Sequence, residues 1–393
     1  MMRPTFAFVA LVLALAAVPA LAQNAEFSDL EKRRILRAGP WPPPLANDPS
    51  NRVSGKAEAI ALGRALFFDT RVSGNGAISC ATCHDPAKSW ADGMPRGQGM
   101  RQGARNSPSL VNVRFNRWFG WDGGHDSLWA QSLRPILDDA EMGGARAKLA
   151  GLLRADGKLS CLYRAAFARE AGAVDEEMLA VDAAKALAAF QETIVSGRSA
   201  FDDFRDALQA GSDDGLYPDD ARRGLKIFMG SGNCHFCHFG PAFTNGEFAD
   251  IGVSYFIAPG VVDAGRHQGI KRLRASADTL LGPFNDDPGR ANATATAFVR
   301  AEPRNFGEFR VPGLRDVAAS APYMHNGAKA SLHDVVRHYS EVDEERLHAE
   351  GERIVRPLHL RSSEIDDVVA FLKTLSSRQP PQAAAPAIAA CPG

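Results

Sequence analysis

The chain has 393 residues, of which 45% are hydrophobic and 23% charged, and its formal net charge at pH 7 is −1. This length is sufficient for two ordinary domains with separate hydrophobic cores. Because positive and negative side chains nearly balance, the composition argues against nucleic acid or an anionic membrane surface as a partner. The 36 glycines and 24 prolines favour long loops over a regular helix bundle.

The first 22 residues have the pattern of an export signal. Arg3 precedes an apolar run from Phe6 to Val18, and Ala20-Leu21-Ala22 supplies an A-x-A cleavage site. The apolar run is too short for a comfortable membrane span, and no later stretch is long and apolar enough to replace it. We therefore expect a cleaved signal peptide at residues 1–22 and a periplasmic protein with no membrane span.

Two pentapeptides with the same spacing carry the main chemical signal: C-A-T-C-H at 80–84 and C-H-F-C-H at 234–238. In C-x-x-C-H, two thiols attach a haem covalently and the adjacent imidazole binds its iron. A redox pair or half of a zinc site would be the alternatives for a single copy, but no other nearby cysteine pair completes a zinc tetrahedron. The sequence therefore predicts two covalent haem c groups, held by Cys80, Cys83, His84, Cys234, Cys237 and His238.

The surroundings of the two motifs suggest a duplication. Before each motif, apolar residues recur on one helical face, within residues 61–68 and 221–228. Between the motifs a helical period runs from Leu179 to Ile194, and Gly197 is its predicted stop. Each early helix is expected to pack beside its own haem.

The last part of the chain completes the predicted organisation. A final helix is expected to begin at Ser362 or Ser363 and to end near Leu375, and a short strand is expected within 251–257. The predicted fold is mainly α, with two cytochrome-c-like haem domains, long loops and little β. The predicted boundaries are a first domain at 23–212, a second at 213–378 and a disordered Pro/Ala-rich tail at 379–393.

Several further motifs occur in a fixed order: G-R-A-L-F-F-D from 63, N-S-P from 106, W-D-G from 121, E-M-G from 141 and P-Y-M-H-N-G from 322. With these motifs the chain resembles the bacterial di-haem cytochrome c peroxidases and their MauG-like branch, over nearly the whole mature sequence. The resemblance implies that hydrogen peroxide is reduced at the first haem and that electrons are exchanged with a protein partner.

The resemblance also implies roles for single residues. Trp121 would relay electrons between the haems, and Gln131, Pro135 and Glu141 would line the open face of the first haem. Glu141, in a mostly apolar pocket, would transfer the peroxide proton, and Gln131 would orient peroxide or water. Without the resemblance, a tryptophan such as Trp121 would more often be a buried core residue, and a glutamate such as Glu141 would more often be an exposed residue at a helix end.

The remaining iron ligands decide the subtype. Peroxidases that need reductive activation carry a histidine that blocks the first haem, and the matching position here is Gln98, so the first iron is expected to be open. The position of the sixth ligand of the second haem matches Tyr339. MauG-type enzymes have tyrosine at this position, whereas activation-dependent peroxidases have methionine. A phenolate is a hard anionic ligand and favours oxidised iron, whereas a thioether raises the haem potential. The alternatives to Tyr339 are first Met324, then His325 and His338.

The resemblance further implies a calcium ion between the domains, bound by the side chain of Asn106 and the carbonyl groups of Ser320 and Pro322. From the residues alone, Asn106 could simply cap a turn. The sequence departs from the family at Gly124-His125, where the W-D-G motif often continues with arginine. The two remaining cysteines, Cys161 and Cys391, could pair, although nothing else in the sequence supports a disulfide.

Three functions remain open at this stage. The first is a peroxidase that removes H2O2 with electrons from a small periplasmic cytochrome c or a cupredoxin. The second is a MauG-like enzyme that oxidises a tryptophan or tyrosine of a partner protein, its maturation target, docked near the second haem. Tyr339 and the absence of a blocking histidine favour this second function over simple peroxide removal. The third is a di-haem electron carrier or redox sensor without catalytic activity. The family includes monomers and homodimers, and the sequence does not choose between them.

Overall fold

The computed structural model describes residues 26–212, 215–254, 256–343, 353–389 and 391. The predicted signal peptide lies outside this part of the chain. Among the described residues, no helix has the length and apolar character that crossing a bilayer requires.

The fold is mainly helical, as predicted. The helices are α1 (Asp29–Leu36), α2 (Ala57–Phe68), α3 (Cys80–Cys83), α4 (Leu128–Leu137), α5 (Arg146–Ala155), α6 (Gly157–Phe167), α7 (Glu176–Gln191), α8 (Ala200–Gln209), α9 (Asp219–Met229), α10 (Arg266–Ala275), α11 (Thr294–Phe298), α12 (Leu332–Glu341) and α13 (Ser362–Lys373). The strands are β1 (Phe248–Ala249), β2 (Phe256–Ala258), β3 (Val261–Val262) and β4 (Phe309–Arg310). Strand β1 pairs with β4 and β2 with β3, both antiparallel.

Buried apolar side chains form two clusters. Helices α2, α4, α5, α6 and α7 supply the first, and α1, α8, α9, α12 and α13 supply the second. Helices α1 and α8 precede the predicted boundary at residue 212 but pack in the second cluster, so the packing does not follow that boundary. The reason is aromatic burial: Phe201 of α8 packs edge-on against Phe243 and Phe371, with ring centroids 5.1 and 6.0 Å apart.

The same helix crossing occurs in both clusters. Helix α2 packs on α7, and α9 packs on α13. At each crossing a glycine lets the backbones touch, because a Cβ on Gly63 would overlap the carbonyl oxygen of Ala186, and one on Gly224 would overlap that of Asp367. The two helices predicted before the C-x-x-C-H motifs are therefore equivalent members of a duplicated unit.

Two local predictions differ from the structure. Helix α7 ends at Gln191 and not near Gly197, because the following segment bonds to a neighbouring loop. There the backbone N–H of Asn112 donates to the carbonyl of Ile194 at 2.8 Å, and the Asn112 amide bonds to Ser196. Tertiary hydrogen bonds thus hold the chain extended where the apolar period alone would continue the helix.

The C-terminal tail is the second difference. Its described residues, predicted to be disordered, lie against the first cluster. Ile388 packs on that cluster, the indole Nε1 of Trp90 donates to the carbonyl of Pro381 at 3.1 Å, and Cys391 is 7% exposed. A disulfide joins Cys391 to Cys161 in α6. A covalent bond and buried contacts therefore fix a segment whose composition is typical of disorder.

Candidate functional site

The two C-x-x-C-H histidines have the same backbone partner geometry. The Nδ1 atom of His84 lies 3.2 Å from the carbonyl oxygen of Trp90, and Nδ1 of His238 lies 3.0 Å from that of Phe243. Both imidazoles are partly buried, and this burial lowers the pKa of each, which favours the neutral ring. A neutral imidazole that donates from Nδ1 presents the lone pair of Nε2, the arrangement of an iron-binding histidine.

A cavity of about 430 Å³ surrounds the second motif. Cys234, Cys237 and His238 line it, and so does Tyr339 from α12. The pKa of Tyr339 is raised above its ordinary value, first by burial and then by the two cysteines. Tyr339 and the two attachment cysteines therefore line one cavity.

Each half of the duplication contains an equivalent helix after its C-x-x-C-H motif. Ser127 caps α4 and Ser331 caps α12, each through a side-chain oxygen that accepts a backbone N–H three residues later. Both helices have ten residues, and the eighth residue is Pro135 in α4 and Tyr339 in α12. The first half therefore has a side chain that cannot ligate a metal where the second half has a phenol.

The alternative sixth ligands, His338, His325 and Met324, have surroundings that differ from those of Tyr339. His338 Nε2 lies 2.8 Å from the carbonyl oxygen of Ile251, so this ring nitrogen already has a backbone partner. The ring of His325 stacks flat on Phe309 with centroids 3.5 Å apart. Met324 lines the cavity and has a φ of 72°, in the left-handed region.

The residues predicted around the first motif lie in adjacent segments. The Sγ of Cys83 is 3.9 Å from the carbonyl oxygen of Gln98. The loop that carries Gln98, at the position predicted for a blocking histidine, therefore lies beside this motif. Glu141 does not have the mostly apolar surroundings that we predicted. Its carboxylate pairs with Arg134, and its side chain is 40% exposed. Helix α4 positions that arginine one residue before Pro135.

Trp121 connects the N-S-P segment with the cavity of the second motif. Its indole Nε1 donates to the carbonyl of Asn106 at 2.9 Å, and its side chain lines the cavity of the second motif. Four residues after Asn106, the backbone N–H of Leu110 donates to the carbonyl of Trp90 at 3.2 Å, and the same carbonyl oxygen lies 3.2 Å from Nδ1 of His84. A path of covalent and hydrogen bonds therefore leads from the first histidine to the wall of the second cavity.

Comparison with known proteins agrees with this duplicated geometry. The chain is 36% identical over 348 residues to the methylamine utilization protein MauG of Methylorubrum extorquens, and the match covers 88% of this chain and 84% of that protein. The chain belongs to the di-haem cytochrome c peroxidase family. The model of this family, "Di-haem cytochrome c peroxidase", matches residues 57–209.

Other members of the di-haem cytochrome c peroxidase family are also similar. The cytochrome c551 peroxidase of Pseudomonas aeruginosa is 30% identical, with 81% of this chain and 79% of that protein covered. Among solved structures, a MauG-like protein associated with microbial copper homeostasis is similar, with a TM-score of 0.65 and 25% identity. That similarity covers 87% of this chain and 96% of the other. Peroxidase or oxidoreductase chemistry with haem c is thus the general activity of the family.

The donor sets fit the haem groups of a di-haem peroxidase. Each motif supplies two thiols and a partly buried imidazole with Nε2 directed away from its backbone partner. The residues predicted to bind calcium, Asn106, Ser320 and Pro322, line the cavity of the second motif together. Amide and carbonyl oxygens are ligands that Ca²⁺ accepts. In this pocket the Asn106 side-chain nitrogen donates to the carbonyl of Met94, which fixes the amide.

A charged network beside Trp121 was not predicted. Asp122 pairs with Arg105 at 2.6 Å and with Arg272, and Arg105 also pairs with Asp263. Asp122 is deeply buried, which alone would raise its pKa, but the two guanidinium groups outweigh burial and lower it. The W-D-G motif signals Asp122, and Arg105 precedes the N-S-P motif. No local signal identifies Arg272 or Asp263, which lie far away in the sequence.

His125, where the sequence departs from the family, is also part of this region. Both of its ring nitrogens are buried with no hydrogen-bond partner within the described ranges. Burial, followed by the nearby Arg134 and Arg272, lowers its pKa to about 3. The imidazole is therefore neutral at ordinary pH, so it does not replace the positive charge of an arginine.

Proposed function

We propose that this protein is a MauG-like enzyme that uses hydrogen peroxide to oxidise a protein partner. Bound at the first motif, haem c would supply an iron that accepts peroxide, and at the second motif a centre that exchanges electrons with the partner. The observation that carries the proposal is the difference at one equivalent position, Pro135 in α4 and Tyr339 in α12. A proline has no metal-binding atom, whereas a phenol can ligate.

The surroundings of Tyr339 support its role as the sixth ligand. Tyr339 is partly buried and lines the same cavity as His238, and metal ligation would compensate for the cost of removing a polar group from water. The hydrogen bond of His338 to Ile251 weighs against that histidine, and the stacking of His325 on Phe309 holds its ring against an aromatic face. Met324 remains the alternative ligand.

On the open face of the first haem, the residues near bound peroxide would be Gln131, Pro135 and Glu141. Glu141 is paired with Arg134, and an ionised carboxylate of this kind can accept a proton from a bound peroxide and return it to the leaving oxygen. Gln131 has an amide that can donate to and accept from the same small molecule. Its Oε1 lies close to Gly120, next to Trp121.

Trp121 would carry electrons between the two centres. The hydrogen bond from its indole to Asn106 fixes the ring at the cavity wall, and Leu110, four residues after Asn106, donates to the Trp90 carbonyl that lies beside His84. This path supports Trp121 as the aromatic residue that would join both motifs. Calcium held by Asn106, Ser320 and Pro322 would stiffen the same region from the other side.

The second motif has the more suitable surface for a partner. Phe236 within it is 63% exposed and Phe239 directly after it is 53% exposed. The first motif has Thr82 and Asp85 at these two positions. Exposed aromatic rings are common anchors of protein interfaces, so we propose that the partner docks beside the second haem. We also propose that the protein is exported and meets this partner in the periplasm.

Replacement of Phe239 by serine tests the docking surface. We expect the KM for an oxidisable protein partner to rise about tenfold, which corresponds to roughly 1.4 kcal/mol of lost binding, with kcat little changed. Steady-state kinetics at varied partner concentration provide the measurement. Phe298, which is 77% exposed, gives the matched control, and its change to serine should leave KM unaltered. Equal effects of both substitutions would contradict docking at the second motif.

The test of the whole proposal is ligand binding to the purified ferric protein. We expect cyanide to bind at the first haem alone, because Tyr339 closes the second, and Tyr339→Phe should alter the spectrum of the second haem. Cyanide binding at neither haem would leave only an electron carrier. Fast oxidation of a small reduced cytochrome c would indicate a peroxide-removing peroxidase instead of a MauG-like enzyme, whose turnover with that donor should be slow.

A further inference from the structure

The C-terminal tail contacts the residue that holds the first histidine. Trp90 accepts from Nδ1 of His84 through its carbonyl oxygen, at 3.2 Å, and its indole Nε1 donates to the carbonyl of Pro381, at 3.1 Å. Trp90 is 3% exposed, and its indole bond to Pro381 is shielded from water. The backbone of one residue therefore supports the predicted iron ligand, while its side chain is bonded to the tail.

The tail is fixed on both sides of that contact. Before it, Ser377 donates from its backbone N–H to Asp316 at 2.8 Å. After it, the backbone N–H of Ala384 donates to Thr193 Oγ1 at 3.0 Å, and Cys391 is joined to Cys161 by the disulfide. Because helix α13 belongs to the second cluster and α6 to the first, the segment crosses from one half of the molecule to the other.

In the part of the chain that the structure describes, the second half has no equivalent hydrogen bond. Phe243, which accepts from His238, has a φ of 53°, close to the 59° of Trp90, so both carbonyls are presented from a left-handed backbone. Phe243 is held by aromatic packing against Phe201 and Phe371 and has no polar side-chain atom. The duplicated unit therefore has the same histidine contact twice, but among the described residues the copy at the first motif alone has a side-chain hydrogen bond to a distant segment.

We propose that the disulfide-anchored tail is a positioning strap for His84. The strap is the segment from Ser377 to Cys391, and Trp90 and Pro381 are its positioning residues. A hydrogen bond from Nδ1 makes Nε2 a stronger donor to a bound metal, so a firmly held Trp90 carbonyl favours oxidised iron at the first haem. This inference rests on the proposed function only in that the first haem is where peroxide would react.

Two variants of the holoprotein test the strap. Trp90→Phe keeps a ring against Phe67 and Phe190 but lacks the N–H that bonds to Pro381, and Cys391→Ser removes the anchor. We expect both to shift the reduction potential of the first haem upward and to lower its iron–histidine stretching frequency. The second haem is the internal reference and should change in neither measurement. Spectroelectrochemical titration and resonance Raman spectroscopy provide the readouts.

Trp41→Phe is the matched control. Trp41 is another indole that is 3% exposed, and its Nε1 donates to the carbonyl of Ser196 at 2.9 Å, away from both histidines. This variant should lose stability as Trp90→Phe does, without a shift at the first haem. Limited proteolysis should cut the tail of Cys391→Ser faster than that of the unmodified protein.

The outcomes separate clearly. A first-haem shift in Trp90→Phe that is absent in Trp41→Phe supports the strap, even where Cys391→Ser does not fold. Equal shifts of both haems, or none in Trp90→Phe, overturn it, and a tail that stays protected in Cys391→Ser overturns the role of the disulfide. None of these measurements uses peroxide or a protein partner. Failure of the strap is therefore distinguishable from failure of the proposed function, which is decided by cyanide binding and turnover.

Discussion

Replacement of Trp121 by phenylalanine is expected to slow partner oxidation by about a hundredfold, equivalent to roughly 2.7 kcal/mol in activation free energy. Phenylalanine keeps the ring at the cavity wall but loses the N–H that donates to Asn106. Its ring is also much harder to oxidise than indole, so it would relay electrons poorly between the two haems. The decisive measurement is the single-turnover rate with partner, compared with the cyanide affinity of the first haem, which should not change.

Trp118 provides the control for this experiment. It belongs to the same segment and is 3% exposed, but the guanidinium carbon of Arg266 lies 4.3 Å above its ring. A positive charge over an indole opposes removal of an electron from it. We therefore expect Trp118→Phe to reduce stability while partner oxidation continues at nearly the normal rate. A larger loss of rate in Trp118→Phe than in Trp121→Phe would remove Trp121 from the relay.

Replacement of Pro135 by histidine is expected to close the first haem. The eighth residue of α12 is Tyr339, so an imidazole at the eighth residue of α4 would point to the equivalent place. The ferric first haem should become low-spin, and peroxidase activity should fall by about a hundredfold or more, since cyanide and peroxide would have to displace the new ligand. Magnetic spectroscopy and cyanide titration provide the measurements.

Pro135→Ala separates ligation from a change in helix α4. Alanine also removes the internal proline and restores a backbone N–H, but it brings no metal-binding atom. We expect its first haem to remain high-spin and open to cyanide. Loss of cyanide binding in both variants would trace the effect to the helix, and retained binding in Pro135→His would contradict the equivalence of the two positions.

Some of the site could be predicted from local sequence because its chemistry depends on short spacing. Two cysteines separated by two residues and followed by histidine are an attachment pattern whatever the rest of the chain does. Helix α2 and helix α9 were predictable because their apolar period is a local property. In contrast, the carbonyl partners of His84 and His238 come from residues that carry no motif of their own.

The predictions that were wrong concern segments governed by distant contacts. The end of α7 is set by Asn112, far earlier in the chain. Glu141 was expected in an apolar pocket, yet the position of Arg134 on α4 brings a guanidinium to it. Side-chain partners of this kind are chosen by packing in three dimensions and leave no periodic signal.

By itself, the sequence determined the mainly helical fold, the duplicated C-x-x-C-H pattern and the family resemblance. These features depend on the spacing of residues that are close together in the chain. Only the tertiary structure decided that Pro135 and Tyr339 are equivalent, that Trp121 bonds to Asn106, and that the tail is tied to Trp90. These contacts join residues that are separated along the chain. They exist because burial of apolar side chains brings the segments together and leaves their polar groups to pair with each other.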